Sequence, residues 1–109
     1  MKLPPHIETF YRLNEIRIII NSTLDKTKMI IIAKEAIEIT ERIKTKKEGK
    51  ERIIDMLKNE IRSYSNSNSE IEIVQFQLAS SILMLSLQFL EGTIDDMNAM
   101  IIQFANRAA

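Results

Sequence analysis

The chain has 109 residues, 45% of them hydrophobic, with 15 Lys or Arg against 15 Asp or Glu and no cysteine. That length holds one domain, and zero formal charge argues against a general nucleic-acid binder. Without cysteine there is no disulfide framework, no thiolate nucleophile and no Cys-ligated zinc. Only two Gly and two Pro occur, so turns are few, elements are long, and the expected class is all-α.

Pro4 and Pro5 mark the end of a loose start. The segment MKLPPHIETFYRLNE has polar residues where a secretory signal needs an apolar core, so no such signal is expected. Phe10, Leu13, Ile16 and Ile20 follow at spacings of 3, 3 and 4, one face of a short first helix. The run Ile18-Ile19-Ile20 also suits a strand, but the spacing favours helix. Asn21-Ser22-Thr23 is a polar break of N-cap residue types, and Asp25 suits a helix's first turn.

A second, long helix is expected to about residue 64. Ile32, Ala36, Ile39 and Ile43 form its first stripe, and Ile53 or Ile54, Leu57 and Ile61 its second. Between them, Lys44 to Arg52 lacks large apolar residues and contains Gly49, the place where this helix breaks or stays exposed. Ser65 to Ser69 is a Ser/Asn turn, with Ser69 placed to cap the next helix. That long C-terminal helix is expected over 70–106. Its stripe runs Leu78, Ile82, Leu85, Phe89, then shifts by one position to Leu90, Ile94, Met97, Ile101 and Phe104. The whole reads as a single helical domain, either a helical hairpin or a small bundle.

No catalytic, cofactor or metal site is expected. His6 is the only histidine and lies at the loose start, where an ordinary surface histidine is the reading. Glu35, Glu38 and Glu41, and the pair Asp95-Asp96, lie beside apolar stripes and read as solvated faces. The basic cluster Arg42, Lys44, Lys46, Lys47, Lys50 and Arg52 is interleaved with Glu41, Glu48 and Glu51, so no nucleic-acid partner is expected.

Two features point to protein partners, above all further copies of the chain. From Leu78 to Leu90 apolar residues reach round most of the helix, and a helix apolar all round needs cover all round. Four Ser and Gln residues interrupt this stretch, so no transmembrane span is expected. Charge is also divided. Residues 1–69 carry 14 Lys or Arg against 10 Asp or Glu, and residues 70–109 carry Arg107 against five acids. Opposite charge favours closure within a chain or stacking between chains. The expected contact residues are Leu78, Ile82, Leu85, Phe89, Ile94, Met97, Ile101 and Phe104.

The segments SYSNSNSEIEIVQFQLA, starting at Ser63, and EGTIDDMNAMIIQFANRA, starting at Glu91, resemble the needle and inner-rod subunits of bacterial type III secretion systems. In that family a polar turn precedes a C-terminal helix that lines a polymer. The resemblance implies a self-assembling subunit of a protein-export conduit, with other secretion-apparatus subunits as partners, either secreted or within a cell-envelope apparatus. A small helical binding module such as a secretion chaperone, an immunity protein or an anti-factor is the alternative, with a cytoplasmic location.

Overall fold

The computed structural model describes residues 3–45, 48–90, 101–102 and 105–106. Four helices, α1 (Pro5–Ser22), α2 (Lys26–Glu41), α3 (Lys50–Ser65) and α4 (Ile71–Leu87), pack as an all-α bundle, with no strand among the described residues. Of the two forms left open, hairpin and bundle, the chain takes the bundle.

Each boundary has a local cause. Pro5 opens α1 at the first helical position, where its missing N–H leaves no bond unmade. Asp25 is itself the cap of α2, its carboxylate accepting from the N–H groups of Thr27 and Lys28 at 3.0 and 3.3 Å. The Asn21-Ser22-Thr23 run ends α1; it does not cap α2. The long second helix divides in two, and the division falls within the apolar-poor stretch around Gly49. Ser69 does not cap α4. Glu70 holds the N-cap position without a side-chain cap bond, while Ser69 Oγ lies 2.8 Å from Ser67 Oγ inside the turn.

The chain runs up, down, up and down. Gln75 Nε2 of α4 donates to the carbonyls of Ile20 and Thr23, at the end of α1. Lys26 at the start of α2 donates its ammonium to the Ser67 carbonyl just beyond α3. At the other pole the Lys50 ammonium, buried at the start of α3, donates to the carbonyls of Thr40 and Ile43 at the end of α2, at 3.2 and 2.6 Å. The Thr40 carbonyl in the last turn of α2 also accepts from the Ile43 N–H at 3.3 Å, so Lys50 adds a further donor to this C-terminus, delivered from the next helix. One member of the basic cluster is thereby an internal strut.

The core joins all four helices: Leu13, Ile16 and Ile20; Met29, Ala33 and Ile37; Ile54, Leu57 and Ile61; Leu78, Ile82 and Leu85. The stripe of α2 is displaced from the expected one. Met29, Ile30, Ala33, Ala36, Ile37 and Thr40 face inward, and Ile32, Ile39 and Ile43 are only partly buried. The buried Thr40 hydroxyl donates to the carbonyls of Ala36 and Ile37, which lets a polar residue sit in an apolar layer.

The single helix expected over 70–106 is corrected at Leu87, where α4 ends. The N–H groups of Gln88, Phe89 and Leu90 bond three residues back, to Leu85, Ser86 and Leu87, tightening the chain out of α-helix. Phe89 is fully buried and completes the inner stripe. The Gln88 amide lies so close to Gly49 that a Cβ there would meet Gln88 Oε1 at 2.6 Å. The helix stops at the pole where α3 begins. Ile94, Met97 and Phe104 lie outside the described residues.

Candidate protein-interaction surface

Leu78, Ile82, Leu85 and Phe89, expected to meet other subunits, are all fully buried in the chain's own core. Within the single chain they line the core. A four-helix bundle supplies the inner half of the cover that α4 needs.

The outer half of α4 is open. Ile73, Phe76, Leu83, Met84 and Leu87 are 39–68% exposed and recur at helical spacing along one face, with half-buried Ser80 between them. No charged residue occurs from Ile73 to Leu90. A sequence reading that treated the stretch as apolar all round did not separate these two faces. The separating signal was the spacing 73, 76, 80, 83, 84, 87, a second stripe beside the one centred on Leu78 and Ile82. Of the C-terminal residues expected to make contact, Ile101 is described, and it is 63% exposed in a helical position.

A trough of about 510 Å³ runs between α2 and α3. Ile37 and Ile61 form its floor, and Lys34, Lys58, Arg62 and Glu38 stand round it. It adjoins a second depression that shares Lys34 and Ser65 and adds Lys26, Ile30 and Ile31. Lys58 is held by Glu41 at 2.6 Å, a bond that raises the ammonium's pKa above its ordinary value. Lys34 and Arg62 have no carboxylate partner among the described residues. The three glutamates of α2 therefore differ. Glu35 pairs with Arg12 at 2.7 Å and raises its pKa through that hydrogen bond, Glu41 pairs with Lys58, and Glu38 stands at the trough.

Glu60 is a carboxylate turned partly inward. Its Oε1 accepts from Ser81 Oγ at 2.6 Å, linking α3 to α4, while its Oε2 is buried without a hydrogen-bond partner. Burial pushes its pKa up, against the opposing effect of the Ser81 bond. Tyr64, one turn further along α3, is also raised, first by desolvation and then by the Glu60 charge. No group of three or more His, Asp or Glu among the described residues could hold a metal ion. No helix among them is long and apolar enough to cross a membrane.

Compared with protein-family models, with curated proteins and with solved structures, the chain finds no match.

Proposed function

We propose that this chain is a non-enzymatic helical subunit that self-associates, with the outer face of α4 as a contact surface. One observation carries the reading. Five large apolar side chains stand exposed on one face of a helix whose sequence holds no charge from Ile73 to Leu90. Contiguous exposed apolar patches on folded proteins mark interaction surfaces, and a face without charge meets a copy of itself without repulsion. The resemblance of the segments around the Ser/Asn turn and after Glu91 to needle and inner-rod subunits supports a specific form of this function: a building block of a bacterial protein-export conduit.

A second reading draws on the closed core. Four helices satisfy one another within a single chain, which suits a discrete module that binds a different protein, such as a chaperone or an anti-factor. Light scattering over a concentration series separates the two. Self-association predicts a mass that grows with concentration and a Phe76→Glu/Met84→Glu variant of lower mass at each concentration with unchanged helicity. A wild-type chain that is monomeric throughout the series overturns the self-association reading and leaves the binding module.

A further inference from the structure

We propose that the trough between α2 and α3 is the receiving site for the acidic, amphipathic segment 91–109 of a second copy, making a head-to-tail contact. This rests on the self-association reading and names the second surface that such an assembly uses.

Two observations carry it. The first is chemical complementarity. The trough has an apolar floor, Ile37 and Ile61, beneath Lys34 and Arg62, cations with no carboxylate partner among the described residues, and Lys26 extends the positive rim. Glu38 is the opposing acid at this rim, and Lys58 is already matched by Glu41. Segment 91–109 holds Glu91, Asp95 and Asp96 against Arg107, with Ile94, Met97, Ile101 and Phe104 at helical spacing. An acidic apolar helix in a basic apolar groove is a recurring mode of peptide recognition.

The second observation is where the chain leaves the bundle. Gln88 lies on Gly49, at the start of α3, so Leu90 departs from that pole. The cation Arg62 stands twelve residues along α3, about 18 Å away at 1.5 Å per residue. In helical form the chain's own Asp95 and Asp96 reach only about 8–9 Å beyond Leu90. Reaching Arg62 of the same chain requires nearly full extension, which dissolves the apolar stripe. A second copy has no such restriction.

In this arrangement the donor and acceptor surfaces differ. A contact between unlike surfaces repeats from copy to copy and either closes as a ring or continues as a filament.

The experiment uses full-length chains. Lys34→Glu/Arg62→Glu reverses the acceptor and Asp95→Lys/Asp96→Lys reverses the donor; circular dichroism checks that each remains helical. Each reversal should raise the concentration at half-assembly, read by light scattering, about tenfold, as like charges replace opposite ones. The neutral pair Lys34→Gln/Arg62→Gln should raise it less, and it stands in if the reversed acceptor fails to fold. Mixing the two reversed variants in equal amounts should restore assembly, because each then meets a complementary surface on the other. Three results overturn the proposal. If the reversals leave assembly unchanged while Phe76→Glu/Met84→Glu abolishes it, copies associate without the trough. If the reversals weaken assembly and mixing does not restore it, the charges do not meet between copies. A wild-type chain that is monomeric at every concentration removes the self-association reading and this site together.

Discussion

Lys50 shows how one side chain can hold a connection that its sequence neighbourhood disguises. Within a run of lysines and glutamates it reads as surface, yet it is buried, and its ammonium joins the end of α2 to the start of α3. Lys50→Met keeps the apolar stem and removes the donor. It leaves the Thr40 and Ile43 carbonyls without that partner, so stability should fall by about 1–3 kcal/mol in denaturant titration. Glu60 gives the opposite sign. Its folded pKa is raised, so the folded state holds the proton more tightly than the unfolded chain does. Stability is then greatest at pH values below the ordinary carboxylate pKa and falls as pH rises through the folded one. Glu60→Gln keeps an acceptor for Ser81 and removes the charge. Its melting temperature should exceed the wild type's at neutral pH by an amount equivalent to about 1 kcal/mol or less, since solvent screens a half-buried group. The difference should shrink towards zero in acid.

At the scale of the element, α4 carries two stripes on one helix, and adjacent residues test them. Leu85 is fully buried and Met84 is 47% exposed. Leu85→Asp places an unpaired charge in the core and should abolish cooperative folding, read as loss of the thermal transition by circular dichroism. Met84→Asp should keep the transition within a few degrees. Much of this architecture is legible from residue spacing. The all-α class, the polar turn at Ser65 to Ser69, the weak point around Gly49 and the inner stripes of α1, α3 and α4 follow from periodicity and breakers alone. Three things do not. The stripe of α2 is ambiguous because isoleucines occupy nearly all sides of that helix, and only packing against α1 and α3 selects Met29, Ala33 and Ala36. The end of α4 lacks a breaker at Leu87, since it is set by the pole of the bundle where Gln88 meets Gly49. The trough unites residues of two helices, Lys34 and Arg62, whose proximity depends on antiparallel packing that no local pattern encodes.

At the scale of the molecule, every member of the main apolar cluster among the described residues lies between Leu13 and Phe89, and together they draw on all four helices. A chain ending at Leu90 should therefore keep the helicity of α1–α4 and its cooperative melting. If segment 91–109 is the donor, the same sample should grow less with concentration in light scattering, keeping only contacts through the outer face of α4. A shortened chain that grows as fully as the intact one assigns assembly to the outer face of α4 alone.

The up-down-up-down course also places both exits of the bundle, Pro5 and Leu87, at the same pole. A mechanical load applied between the two ends acts across the α1–α4 seam and not along it. Such a load peels the pair apart turn by turn, so few side-chain contacts resist at any instant. Pulled in an optical trap by its ends, the bundle should open at much lower force than when pulled by handles at Pro5 and Leu24, which stretch α1 lengthwise against its neighbours. The same fold thus resists a pull along α1 yet yields to traction on its two ends.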